Sequence, residues 1–312
     1  MAERPALSVV VPTYDAPELL KALLRSMGQQ TLPAGEVEIV VVDDASPAFD
    51  PAGWDALSAP HRLIVIHRGV NGGRARARND GLRAATGEVV VFLDGDMTAA
   101  PGFLNAHLDF HRVHPGEVAV GNILFAPQIE PSALTRYVQR RGVQRYGAGE
   151  PVPYKCFVTG NSSVSRQLLT DADGFDEDFH AYGGEDLELG YRLAGLGAVF
   201  RFAAEAVSYH HHLRPLEQHC QLMYTYGRHS LPILLDKHPQ LAPLLRLDFL
   251  DAGGPSLRRW ALRAALWSPV YALVRVGFRG ALPGVALPDV LFDYLWWRNR
   301  TRGFLEARAG EG

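Results

Sequence analysis

Cysteine is nearly missing from this sequence: Cys156 and Cys220 are the only two among 312 residues. Two thiols build neither a disulfide framework nor a zinc cluster, which sets the expectation of a reducing compartment, the cytoplasm. Long apolar runs are missing too. No stretch reaches the roughly 18 apolar residues that cross a bilayer. Met1-Ala2-Glu3-Arg4-Pro5 leads straight into a strand-like run, without the apolar region of a secretory leader. A cationic excess is also lacking. The formal net charge is −3, which argues against bulk nucleic-acid binding. What is present is an ordinary globular composition, 47% hydrophobic and 21% charged. The length suffices for one large α/β domain with an appendage, or for two domains.

Apolar runs and helical spacings alternate along the first third. Leu7–Pro12, Val37–Val42, Leu63–Ile66 and Val89–Leu93 read as buried strands, being continuous and rich in β-branched residues. Between them, Pro17 opens a helix carrying Leu19, Leu20, Leu23 and Leu24, Gly72-Gly73 opens another through about Ala85, and Pro101 a third. Alternation of this kind implies parallel βαβ units, whose ligands bind at the carboxyl ends of the strands. Those ends read Pro12-Thr13-Tyr14, Asp43-Asp44 and Asp94-Gly95-Asp96. Further on, Val118–Phe125, Cys156–Val164 and Ala198–Tyr209 look like strands, with helices over Ala133–Arg145 and Glu185–Leu196. From Leu213 the chain reads as mostly helical.

Asp94 and Asp96 close a buried strand, and like charges that close repel unless a cation lies between them. An Asp-x-Asp pair suits a hard divalent ion such as Mn²⁺ or Mg²⁺, shared with substrate phosphates; an Asp-Gly turn is the structural alternative. Arg74 and Arg78 stand at i and i+4 on the glycine-opened helix and would attract an anion, most naturally a diphosphate. For Arg76 a solvated basic face is preferred. His210 begins a run of three histidines at a strand end and would add a nitrogen ligand. Glu185-Asp186 opens a helix, where the dipole favours charged carboxylates; simple helix capping is the alternative. Gly160 and Asn161 follow a strand-like run and are read as sugar-pocket residues, with ordinary loop residues the alternative; Tyr182-Gly183-Gly184 are read as a loop that closes on the donor, with a rigid turn the alternative.

These motifs, in order, carry a resemblance. Val9–Tyr14, Val41-Val42-Asp43-Asp44-Ala45-Ser46, Asn71–Gly81, Asp94-Gly95-Asp96 and Gly184-Glu185-Asp186-Leu187-Glu188-Leu189 are similar to the five signature segments of the metal-dependent, inverting family 2 glycosyltransferases of the GT-A fold, with Ala45 where that family usually has glycine. The resemblance covers roughly residues 6–212. It implies an α/β fold, Rossmann-like, with a mostly parallel central sheet flanked by helices. A catalytic domain would span 1–212, its nucleotide-binding half about 1–98 and its acceptor and metal half about 99–212, followed by a helical region over 213–312.

By the same resemblance, Pro12, Thr13, Tyr14 and Asp43 or Asp44 would hold the nucleoside. Asp94, Gly95 and Asp96 would meet the diphosphate, Asp94, Asp96 and His210 the metal. Asp186 would be the general base and Glu185 a contact to the acceptor or sugar. The later QxxRW motif of processive synthases is missing, which implies transfer of a single sugar. The donor would be a nucleoside diphosphate sugar, UDP by family habit, and the acceptor a glycan, a lipid-linked glycan, a metabolite or a peptide. Retaining transfer is the nearer rival; nucleotidyl transfer and non-catalytic binding are the others.

The tail stands apart. Residues 255–312 carry a net +5 and hold Trp260, Trp267, Trp296 and Trp297. Arginine mixed with tryptophan suits the surface of a membrane, here its inner face; a helical appendage or a self-association face accounts for the same composition.

Overall fold

The computed structural model describes residues 4–250, 257–280 and 287–310. Met1 to Glu3 of the N-terminal segment lie outside these residues, as do 251–256, 281–286 and 311–312 of the tail. The chain divides into two compact units. The first comprises residues up to Glu130, Val138–His180 and Glu185–Leu213; the second comprises Pro131–Tyr137, Ala181–Gly184 and the chain from Arg214.

The first unit is built on a nine-stranded sheet. Its strands are β1 (Leu7–Thr13), β2 (Val37–Asp43), β3 (Arg62–His67), β4 (Val89–Leu93), β5 (Met97–Ala99), β6 (Val118–Phe125), β7 (Pro151–Val152), β8 (Asn161–Ser165) and β9 (Phe200–His210). The order is β3-β2-β1-β4-β8-β6-β9-β5, with β7 also on β9. β3, β2, β1 and β4 run parallel, as the alternation of strands and helices predicts. Beyond β4 the sheet is mixed: β8 is antiparallel to β4 and β6, β9 is parallel to β6, and β5 is antiparallel to β9.

Continuous β-branched strands bury both faces, and the two sides of the sheet carry separate cores. Val10, Val40, Val42, Val90 and Phe92 join Phe157 and Leu189 on one side. Val9, Val11, Ile39, Val41 and Val91 join Leu20, Leu23, Leu24 and Phe103 on the other. The helix Arg74–Ala84 packs tightly on the sheet at Gly81, where a Cβ would come within 2.4 Å of Val10.

One expected strand is shorter than the sequence suggests. Of Cys156–Val164, only the part from Asn161 pairs with β4, beginning at Leu93. The preceding Tyr154–Cys156 coils into a 3₁₀ turn, and Thr159 is carried in the turn before the strand. The helix expected over Ala133–Arg145 ends at Arg141, with a 3₁₀ turn at Val143–Arg145.

The second unit is helical. The helix Leu216–Thr225 runs through a π-helical turn, Tyr226–Ser230, into Leu231–Lys237. The 22-residue helix Asp289–Gly310 crosses it where both backbones are bare: a Cβ on Gly227 would meet Arg300 O at 1.9 Å, and one on Gly303 would meet Tyr224 O at 2.2 Å. Trp296 and Trp297 are each 7% exposed and belong to this packing. Tyr137 stacks on Phe292 and donates its hydroxyl hydrogen to Asp293 Oδ1 at 2.7 Å.

Candidate active site

β1, β2 and β4 run parallel, so they deliver their carboxyl ends to one edge. At the end of β1, Thr13 O accepts the Asp44 backbone N–H at 2.9 Å. Pro12 O lies so close to Gly95 that a Cβ there would stand 2.9 Å away. Tyr14 projects from this edge, half exposed. Asp43 accepts the Ser46 N–H at 2.9 Å, the Ser46 hydroxyl, and a contact from His67 Nδ1 at 2.8 Å. Asp44 accepts Gly72 N–H at 2.9 Å, Gly73 N–H at 2.8 Å and the Arg68 guanidinium. It thereby fixes the turn that opens the helix Arg74–Ala84. Gly73 is required in that turn: its φ is +84°, and a Cβ would be 2.7 Å from His180 O.

Arg78 occupies the centre of the acid cluster. Its side chain is 1% exposed, with Nη2 at 2.9 Å from Asp94 Oδ1, Nη1 at 3.1 Å from Glu185 Oε1 and at 3.9 Å from Asp186 Oδ1. Burial acts to lower the guanidinium's pKa, but Asp94, Asp186 and Glu185 outweigh it and raise the pKa above its ordinary value. Arg78 therefore lies beneath the site as a cationic bridge, where the sequence placed it on a diphosphate. Arg74, four residues earlier, is exposed at the helix N-terminus. Glu185 is 3% exposed and faces Arg78, a position that holds the cluster together and keeps the carboxylate from solvent.

Asp186 is also held by Thr159, whose hydroxyl donates to Oδ1 at 2.7 Å and whose backbone N–H lies 3.4 Å from Oδ2. Burial, then the neighbouring Glu185 charge, push the Asp186 carboxyl up to about 7; Arg78 and Thr159 pull the other way. The helix dipole, expected to keep this acid ionised, is outweighed. About a quarter of its side chain, 27%, still reaches solvent.

Asp96 is paired differently. The antiparallel register sets Met97 opposite His210, which brings His210 Nε2 to 3.4 Å from Asp96 Oδ2. Among the described residues, no three His, Cys, Asp or Glu side chains converge as a ready-made metal site. The expected trio is divided, because Asp94 turns to Arg78 while Asp96 faces His210. A carboxylate and an imidazole nevertheless suit a divalent ion whose remaining positions fall to phosphate oxygens and water. His212 N–H donates to His210 Nδ1 at 3.2 Å, which holds the ring with Nε2 toward Asp96.

The weaker expectations separate. Gly160 lies beside the cluster: a Cβ there would be 3.3 Å from Asp94 Oδ2. Asn161 does not line a pocket. It is fully buried, accepts from His107 Nε2 at 3.0 Å and donates to Ala206 O at 2.8 Å. Tyr182, Gly183 and Gly184 group with the helical unit, where Tyr182 O accepts the Ser230 hydroxyl at 3.1 Å and Gly183 adopts φ +79° against Tyr226. Sequence reasoning missed the Thr159 bond to Asp186 and the Arg68 bond to Asp44. The second was within reach, since Arg68 follows β3, the parallel neighbour of β2.

Comparison with known proteins bears on this geometry. The family model described as glycosyl transferase family 2 matches residues 8–169, and one described as the N-terminal domain of galactosyltransferase matches residues 140–214. The chain is 29% identical over 273 residues to validoxylamine A glucosyltransferase of Streptomyces hygroscopicus subsp. jinggangensis, covering 77% of this chain and 63% of that protein. It is 28% identical to pre-mycofactocin glycosyltransferase of Mycobacterium tuberculosis, covering 82% of this chain and 52% of that one. The chain thus spans between half and two thirds of the length of these two relatives. Among solved structures, the mannosyltransferase PcManGT of Pyrobaculum calidifontis, in complex with GDP-Man and Mn²⁺, superposes with a TM-score of 0.60 at 22% identity, over 98% of this chain and 87% of that one. TarS of S. aureus, residues 1–349, in complex with UDP, gives 0.55 at 20% identity, over 97% and 91%. These likenesses establish the GT-A fold.

Proposed function

The chain belongs to glycosyl transferase family 2, and we propose that it moves a single sugar from a nucleoside diphosphate donor, UDP foremost, to an acceptor hydroxyl with inversion at the anomeric carbon. The observation that supports this reading most directly is the Arg78 bridge. One guanidinium contacts both Asp94 of the Asp-x-Asp turn and Asp186 of the helix start, so donor-side and acceptor-side acids belong to one cluster.

Asp186 takes the proton of the acceptor hydroxyl as its oxygen attacks the anomeric carbon. The bond from that carbon to the diphosphate oxygen breaks in the same displacement, and the diphosphate leaves with the electron pair. A carboxyl poised at about 7 suits this task, since a base works best near the ambient pH. Thr159 and Arg78 fix its orientation. Pro12, Thr13, Tyr14 and Asp43 form the edge that receives the nucleoside, and Arg74 with the Gly72-Gly73 helix start receives the diphosphate. Asp96 and His210 would hold a divalent ion, Mn²⁺ or Mg²⁺, which when bound stabilises charge on the leaving diphosphate. The PcManGT complex with Mn²⁺ favours the same cofactor here.

The test is Asp186→Asn assayed with a donor chosen by thermal shift in Mn²⁺. Donor affinity is expected to survive, while transfer falls by about 10²–10⁴-fold. In the parent protein kcat/KM is lost as pH falls through about 7, because the base must be unprotonated. NMR of the product should show the anomeric configuration opposite to the donor's. Retained configuration would favour the retaining rival, and release of inorganic diphosphate from a nucleoside triphosphate would favour nucleotidyl transfer.

A further inference from the structure

Within the helical unit, two helices turn their apolar sides outward. In Leu257–Ala265 and the residues just after it, Leu257 is 89% exposed, Trp260 76% and Trp267 67%. In Ser268–Gly280, Leu273 is 74% exposed and Val276 63%. Leu257 and Trp260 stand three apart, as do Leu273 and Val276, and Trp267 follows Trp260 by seven, so each helix turns an apolar edge to solvent. The opposite sides are already occupied. Arg275 pairs with Glu217, Arg298 lies 4.1 Å from the centre of the Tyr271 ring, and Tyr294 donates its hydroxyl hydrogen to Ala265 O at 2.8 Å. The outward stripe is therefore not a packing face turned the wrong way; the packing face is a different one.

The sequence around the stripe carries charge of one sign. Beside Arg275, which is already paired with Glu217, residues 255 to 288 hold four arginines and no aspartate or glutamate. Arg263 is exposed among the apolar residues. A second copy docking on this face would set arginines against arginines, a juxtaposition that works against association. No described helix is long and apolar enough to cross a membrane. A surface that accepts tryptophan and leucine, pairs with arginine heads and needs no crossing is the headgroup layer of a bilayer bearing anionic lipids. Arginine stems lie along apolar surface while their heads meet phosphate, which lets both features act at once.

We propose that the outward face of Leu257–Ala265 and Ser268–Gly280 docks flat on an anionic lipid surface, with Trp260 and Trp267 in the headgroup region. The full chain is mixed with sedimentable vesicles of phosphatidylcholine alone, or with a third of the lipid replaced by phosphatidylglycerol, and the bound fraction is measured. Binding to the anionic vesicles is expected to be at least tenfold tighter than to the neutral ones and to weaken as salt rises. The double variant Trp260→Ser, Trp267→Ser is expected to lose at least tenfold of that binding with an unchanged melting temperature, since both residues are exposed. Arg263→Gln should weaken binding to the anionic vesicles alone. The proposal is overturned if the parent protein ignores both vesicle types, or if the double variant binds as well as the parent. Sedimentation velocity without lipid covers the remaining occupant: a dimer that the same double variant dissolves would assign the face to a second copy and overturn the lipid assignment.

Discussion

Asp43-Asp44 and Asp94-Gly95-Asp96 close two strands of one sheet, β2 and β4, which flank the same central strand. By sequence they look alike: two acids at the carboxyl end of a buried apolar run. Asp43 and Asp44 are 2% and 5% exposed, and their partners include Ser46, His67, Arg68, Gly72 and Gly73, groups that lie at the end of β3 or in the turns beside it. Asp94 and Asp96 keep 32% and 24% of their side chains in solvent, and among their partners are Arg78 and His210, brought in from a helix and from a distant strand. The difference teaches that an acid pair becomes available for chemistry when it keeps solvent and meets side chains brought in from other elements. β2 runs directly into a turn rich in N–H groups, whereas Gly95 against Pro12 turns the chain sharply and leaves the second pair facing outward.

Breaking the bridge that serves the open pair should have the largest effect. Arg78→Met removes a buried cation from Asp94, Glu185 and Asp186, and stranding buried charges costs about 3–5 kcal/mol. Denaturant midpoints read this directly. A loss below about 1 kcal/mol would mean that the three carboxyls relax by taking up protons, and that the cluster does not depend on its cation.

Exchanging the roles of the two pairs comes next. Asp96→Asn is expected to lower kcat/KM in Mn²⁺ by roughly 10²–10³-fold with the melting temperature held, a loss in the range of removing one electrostatic contact to the transition state. Asp44→Asn should do the reverse. It weakens the bond to Arg68 and bonds to two backbone donors, a cost of roughly 2–3 kcal/mol in stability. If Asp44→Asn instead left stability intact and abolished donor binding, the contrast between the pairs would be wrong.

How much of this the sequence disclosed follows from the same contrast. The first four strands and their helices were legible because continuous β-branched runs separated by helical spacings have one economical solution, and that solution puts Pro12–Tyr14, Asp43, Asp94 and Asp96 on one edge. The Asp-x-Asp turn, His210 and Asp186 were legible as candidates. Depth was not legible. Arg74 and Arg78 share a helix face in any reading of the spacing, yet one is exposed and the other buried, because only the later residue lies over the strand ends. Asn161 had the composition of a pocket residue and became a core residue, since its strand sits between β4 and β6. Thr159 depends on where β8 begins pairing, which a nine-residue apolar and polar mixture does not mark.

The histidines extend the comparison between consumed and open groups. His107, fully buried, and His111, partly buried, both contact Ser163 at 2.8 Å, and burial pushes them down to about 3 and about 4. In the unfolded chain both protonate near 6.5, so below that pH the unfolded state binds more protons than the folded one and stability falls. The expected slope is up to roughly 2.7 kcal/mol per pH unit for the two together between pH 6 and 5. Urea titrations across that range should show the slope shrink when His107→Gln is introduced. An unchanged slope would place the acid sensitivity elsewhere.

The smallest effect lies between Asp43 and the serine it holds. Ala45 adopts φ +68°, a region that costs a residue with a Cβ about 1–2 kcal/mol. It persists there because Asp43 grips Ser46 by backbone and hydroxyl, and Ser46 Oγ in turn accepts the Asp15 N–H at 2.8 Å, so the turn is fixed on both sides of the strained residue. Ala45→Gly removes the strain but frees the unfolded chain, which offsets about 0.5–1 kcal/mol of the gain. A net stabilisation of about 0.5–1 kcal/mol is therefore expected in urea, with nucleotide affinity unchanged if the turn's shape is set by Asp43. Should the glycine variant gain stability and lose affinity together, the alanine's strain would itself shape the binding edge, and Asp43's hold on Ser46 would not be enough to set the turn.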